Sequence, residues 1–133
     1  RLAPLQTNLR LVKGAYKESS EVAYPEKQDV DRNFKRLIAY QLDSGNYAAV
    51  ATHDETIISF TKAYADKQQI SRDKFEFQML YGIRPDLQKQ LVKEGYRVRI
   101  YVPYGRDWYG YFMRRLAERP ANVAFVLKGV FGR

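Results

Sequence analysis

Polar or basic side chains cluster at four places in the chain: Lys13-Gly14-Ala15-Tyr16, Thr52-His53, Gln78 to Gly82, and Tyr101 to Gly105. The first closes the stretch LRLVKGAY, where Arg10 and Lys13 fall on opposite faces of a strand and Gly14 permits a bend or a close backbone approach. A strand end of this kind is suited to face a ligand. Further on, Arg114-Arg115 offers two adjacent guanidinium groups. Each group also has a purely structural alternative. Arg10 and Lys13 can be edge charges that discourage aggregation, Thr52 a capping hydroxyl, His53 a helix-start residue, and Arg114-Arg115 last-turn cations that complement a helix dipole. Tyr101, Tyr104, Trp108, Tyr109 and Tyr111 can be core or interface aromatics, or a stacking platform for bases.

Composition narrows the chemistry. The chain has no cysteine and one histidine, His53, which argues against a disulfide scaffold and against a protein-built metal site. A net charge of +8 admits nucleic acid, an acidic membrane surface or small anions as partners, but the cations are interspersed with acids, as in DVDRNFKR, and form no basic arm. With 133 residues, 45% of them hydrophobic, the chain can bury one ordinary core. No apolar run is long enough to span a membrane and the first residues lack a signal-peptide stretch, so a cytoplasmic protein is expected. The chain opens on Arg1 rather than methionine, in the approach to a strand, which raises the expectation of a fragment.

The elements that would position these groups alternate. After LRLVKGAY, residues Val30, Phe34, Leu37, Ile38 and Leu42 recur at helical spacing, with Asp29 as the expected N-cap and Gly45 past the end. NYAAVATHD reads as a buried strand, and Asp54 is expected to cap a helix that presents Ile57, Ile58, Thr61 and Tyr64 on one face. FEFQMLYGI is a strand with Phe75, Phe77 and Met79 on one face and Glu76, Gln78 and Leu80 on the other. Pro85 then opens a helix with Leu87, Leu91 and Val92 as its buried stripe and Gly95 as its stop. In YRVRIYVPYG, Val98 and Ile100 alternate with Arg97, Arg99 and Tyr101, and Asp107 can cap the following WYGYFMRRLAER. Four consecutive strand-plus-helix units predict parallel strands joined by crossovers. No GxGxxG or GxxxxGKS loop follows a strand, which argues against a doubly wound nucleotide fold. Polar clusters at the C-terminal end of every strand suit a (β/α)8 barrel, although a whole barrel needs about 250 residues.

RLVKGAY, ATHD, FEFQMLYG, and YVPYG followed by YFMRRLAE occur in this order, and together they resemble the C-terminal half of the flavin-dependent proline dehydrogenase family, in its bacterial single-function branch. The resemblance implies that residues 1–133 are the C-terminal half of a distorted (βα)8 barrel domain. The implied reaction is FAD-dependent oxidation of L-proline to 1-pyrroline-5-carboxylate, the first step of proline catabolism. Electrons would pass to a quinone, with contact at most peripheral to a membrane.

Position by position, the resemblance makes Arg10 the catalytic arginine beside the reactive flavin nitrogen. Lys13, Gly14 and Ala15 become an FAD-holding segment, Thr52 and His53 a second FAD-contacting pair, and Gln78 part of the same pocket. It implies that Arg114 and Arg115 hold the substrate carboxylate, that Leu80, Tyr101 and Tyr111 enclose the proline ring, and that Glu118 is an acid beside the arginine pair. Two adjacent guanidinium forks suit a carboxylate, and a fixed cation beside the flavin suits the charge that develops with hydride arrival. Ser19-Ser20 departs from the family, which often has a proline there. The family's substrate-binding lysine and catalytic aspartate belong to the first half of the barrel and match nothing here. The chain alone is therefore expected to have little or no proline oxidation activity, and its open sheet edges to favour self-association or pairing with the missing half-barrel. From another class, the alternative is a basic, aromatic-rich module for single-stranded nucleic acid or another polyanion.

Overall fold

The structure, a computed structural model, describes residues 3–14, 18–106, 109 and 110. Residues 3–14 and 18–102 form one unit, and the described residues from Pro103 onward belong to a second. In the first unit the order is β1 (Leu9–Val12), α1 (Lys27–Asp43), β2 (Ala48–Ala51), α2 (Glu55–Lys67), β3 (Phe75–Leu80), α3 (Pro85–Lys93) and β4 (Val98–Tyr101). The strands pair in sequence order, β1-β2-β3-β4, and every pair is parallel. The result is an α/β fold consistent with a partial (βα)8 barrel. A doubly wound sheet would reverse its strand order at a switch point, and this sheet has no reversal.

Alternation along the strands divides the sheet into an apolar and a polar face. Ala48, Val50, Phe75, Phe77 and Met79 are buried with Phe34, Ile38 and Leu42 of α1, Ile57, Ile58 and Ala65 of α2, and Leu91 of α3. Phe77 meets Tyr96 edge-on with ring centroids 5.6 Å apart. Buried Gln41 donates from Nε2 to the carbonyls of Thr7 and Tyr47, both at 3.1 Å, and so satisfies backbone at the entry to β1 and β2.

Helix ends follow the expected residues at four places and depart at one. Asp54 caps α2 by accepting from the Thr56 amide at 2.9 Å. Pro85 occupies the first turn of α3. Gly45 and Gly95 lie just past α1 and α3 at φ +73 and +84, the left-handed conformation that favours glycine at a helix stop. Asp29, however, is not the cap of α1. The helix starts at Lys27, after an extended Glu26 that makes no side-chain capping bond, and Asp29 lies within the first turn, paired with Arg32 at 3.1 Å. Its charge there still complements the positive helix end.

Two residues assigned to buried stripes are exposed. Leu37 and Val92 each follow or precede a buried neighbour, Ile38 and Leu91, and the roughly 100° turn per residue carries them off the core-facing side. The expected helix after Asp107 lies outside the described residues except for Tyr109 and Gly110. No helix among the described residues is long and apolar enough to cross a membrane.

Phe77 is fully buried at the centre of the sheet. Phe77→Ala is expected to lower the unfolding free energy by about 3–5 kcal/mol, read from urea denaturation midpoints.

Candidate active site

The parallel register sets three rows across the polar face: Arg10, Ala49 and Glu76; Val12, Ala51, Gln78 and Arg99; and Leu80 with Tyr101. Arg10 on β1 and Gln78 on β3 are separated by a whole strand, about 10 Å of sheet. On this face β2 presents only the methyl groups of Ala49 and Ala51, which leaves room for a long side chain to cross. Arg10 does so and donates from Nε to Gln78 Oε1 at 2.8 Å.

Gln78 in turn donates from Nε2 to Glu76 Oε1 at 2.6 Å. Glu76, only 5% exposed, is the hub of this face. Arg99 reaches it through two bonds, Nε to Oε1 at 2.6 Å and Nη2 to Oε2 at 3.0 Å, and the Tyr47 hydroxyl donates to Oε2 at 3.0 Å. A charge so buried needs such a fork and the further donors. The Arg99 guanidinium, against the opposing effect of burial, holds the Glu76 carboxyl below the usual glutamate range, with help from Gln78 and Tyr47. Burial and the adjacent carboxylate together push the Tyr47 hydroxyl up.

Lys13 behaves differently from Arg10. Its ammonium is ion-paired with Asp31 of α1 and with Asp54, the cap of α2, the latter at 3.1 Å. It also stands 5.8 Å from the centre of the Phe34 ring. The side chain thus fastens the end of β1 to the two helices. Lys13 and Lys27 lower the Asp31 pKa. Burial opposes ionisation of Asp54, but its bonds to Lys13 and to the Thr56 amide outweigh that and lower its pKa too.

At the end of β2, Thr52 is buried and its hydroxyl accepts from the Asp54 amide at 3.1 Å, a capping role. The His53 ring accepts the Leu80 amide proton at Nε2, 2.9 Å away, which assigns the ring proton of the neutral imidazole to Nδ1. Arg84 donates to the His53 carbonyl at 3.0 Å and is ion-paired with Glu55, so the starts of α2 and α3 are tied together. Arg84 holds a left-handed φ of +54, which is costly for a non-glycine residue.

Of the residues selected from sequence, the structure joins Arg10 to Gln78 and His53 to Leu80, sets Leu80 opposite Tyr101, and leaves a Cβ on Gly14 with nothing within 4 Å among the described residues. It turns the Lys13 side chain to the helices. Ala15, Tyr111, Arg114, Arg115 and Glu118 lie outside the described residues. Glu76, Arg99 and Tyr47 were not selected as site residues. The alternation of β3 put Glu76 on the face of Gln78, but only the register between strands brings Arg99 and Tyr47 to it.

A parallel sheet in sequence order, with an anchored arginine on its polar face, is consistent with part of an α/β barrel. The proline dehydrogenase family model matches residues 4–128, and the chain belongs to that family. It is 65% identical over 130 residues to proline dehydrogenase 1 of Bacillus subtilis, covering 98% of this chain and 43% of that protein. Against proline dehydrogenase of Deinococcus radiodurans it is 60% identical over 129 residues, covering 97% of this chain and 42% of that one. The chain therefore spans less than half the length of these relatives. Among solved structures, proline utilization A from Bdellovibrio bacteriovorus inactivated by N-propargylglycine matches with a TM-score of 0.76 and 34% identity, over 82% of this chain and 13% of that one.

Asp31, Asp54 and Glu76 each have a folded pKa below the ordinary value. Such acids contribute stability at neutral pH that is lost as pH falls through the folded pKa. The urea midpoint is expected to stay level between about pH 7 and 5 and to drop below about pH 4, with Glu76→Gln showing a shallower acid fall than the unmodified protein.

Proposed function

We propose that this chain is the C-terminal part of a barrel domain whose full-length enzyme oxidises L-proline to 1-pyrroline-5-carboxylate with FAD. The carrying observation is Arg10: it stands on the polar face at the second position of β1, anchored through Nε across β2, with its terminal nitrogens unpartnered among the described residues. Family membership supports this reading over polyanion binding.

The residues present fit such a cofactor. Among the described residues a Cβ on Gly14 would meet nothing within 4 Å, so the backbone there is open to close approach. Arg10 supplies a cation on β1, and the Thr52 hydroxyl and the His53 ring stand at the end of β2. FAD, when bound, supplies the hydride acceptor. Arg10 stabilises negative charge with a cation already in place, so no reorganisation is needed as that charge grows. Gln78 holds Arg10. Leu80 and Tyr101, adjacent across β3 and β4, wall the proline ring and exclude water.

In the same reading Arg114 and Arg115 clamp the carboxylate through paired bonds, Tyr111 closes on the ring, Glu118 stands by the arginines, and Ala15 continues the cofactor segment after Lys13 and Gly14. The Lys13 ammonium already has two aspartate partners, so its contribution to the cofactor is through backbone. Proline is oxidised at the ring carbon next to nitrogen. Hydride leaves that carbon, the nitrogen loses its proton, and a C=N bond forms. The acceptor of the electrons is a quinone, reached by an otherwise cytoplasmic protein through peripheral contact with a membrane.

The full-length polypeptide, examined anaerobically, is expected to carry a visible flavin band that bleaches on addition of L-proline, and Arg10→Met to slow that bleaching about 10²–10³-fold. A protein that stays colourless in excess FAD would overturn the reading. By contrast, the isolated 133-residue chain is expected to turn over no proline and, through the open edges of β1 and β4, to exceed monomer mass in light scattering at micromolar concentration.

A further inference from the structure

We infer that Glu76 is a positioning residue: it sets the direction of the Gln78 amide and, through it, the aim of Arg10. This rests on the flavin reading of Arg10 and adds to it a group that does not itself touch cofactor or substrate.

An ionised carboxylate only accepts hydrogen bonds. Gln78 must therefore turn its NH2 toward Glu76, as the 2.6 Å contact records, and its carbonyl oxygen toward Arg10. The reverse amide orientation would set donor against donor at Arg10 Nε and oxygen against oxygen at Glu76. Gln78 is thus held in one of its two orientations by the charge behind it. Glu76 cannot rotate away, because Arg99 grips both of its oxygens and Tyr47 bonds one of them. A lowered pKa keeps the carboxylate in its acceptor-only form at neutral pH.

At the other end, the Nε bond removes rotation of the Arg10 guanidinium plane and leaves its terminal nitrogens for a ligand. Arg10 spans β2 to make this bond, and the alanines beneath it offer no other polar partner. Without an oriented Gln78, nothing among the described residues fixes Arg10. The relay therefore runs Arg99 and Tyr47 to Glu76, to Gln78, to Arg10, and every link is a hydrogen bond between side chains on the sheet's polar side. Ordering the cation before ligand arrives removes a cost that binding would otherwise carry.

The test is a double-mutant cycle on the full-length polypeptide, read as FAD dissociation constant by fluorescence titration and as kcat and KM for proline, with melting temperature recorded alongside. Glu76→Gln and Gln78→Met are each expected to weaken FAD binding about tenfold and to lower kcat more than they raise KM, as loss of an outer supporting contact does. In the Gln78→Met background, Glu76→Gln is expected to add no further loss, because its route to Arg10 is already cut. Additive losses, or a Glu76→Gln protein that binds and turns over like the unmodified one, would overturn the inference while leaving the flavin reading intact. An unmodified protein that takes up no FAD would overturn both. Should Glu76→Gln fail to fold, Arg99→Lys, which keeps the charge but not the two-bond fork, carries the same comparison: a smaller loss that vanishes in the Gln78→Met background supports the relay, and one that persists overturns it.

Discussion

Parallel pairing in strict sequence order is the constraint from which the remaining features of this fold follow. It sends successive side chains to opposite faces in the same register on all four strands, so the sheet acquires one apolar and one polar side. The apolar side takes Phe75, Phe77 and Met79 into a core with the helices. The polar side is left with Arg10, Glu76, Gln78 and Arg99, four groups that would be costly beneath a helix. A slip of one residue in any strand would exchange these sets.

Burial on the polar face is made tolerable by connection. Glu76 is almost fully enclosed, yet each of its oxygens accepts two bonds, from Arg99 and Gln78 on one and from Arg99 and Tyr47 on the other. Small residues have an equal part. Ala49 and Ala51 leave a trough between β1 and β3, and only a long side chain such as Arg10 can cross it to reach Gln78. The strand ends are secured by a second set of contacts, Lys13 with Asp31 and Asp54, and Arg84 with Glu55. Those contacts hold the loops from which a barrel-type site is built.

Much of this was legible in residue order. The period-2 alternation of β3, the apolar repeat of α1, the Asp54 cap, the Pro85 start and the glycines at 45 and 95 all act locally, so sequence spacing alone locates them. Asp29 lies in the first turn of α1 rather than at its cap, because Asp is favourable at both and spacing does not separate the two. Leu37 and Val92 are exposed although they flank apolar stripes, because a flanking residue is buried only as far as the neighbouring element reaches.

By itself, the sequence determined the α/β alternation, the parallel order it implies, the family, and the strand ends at which polar groups collect. All of these depend on local periodicity or on short motifs. The tertiary structure decided which polar groups meet: Arg10 with Gln78 across 68 positions, Arg99 with Glu76 across 23, Tyr47 with Glu76 across 29. It also decided that Lys13 serves the helices rather than the polar face. Those partnerships depend on the register between strands, and register comes from the burial of the whole apolar face at once, which no single stretch of residues contains.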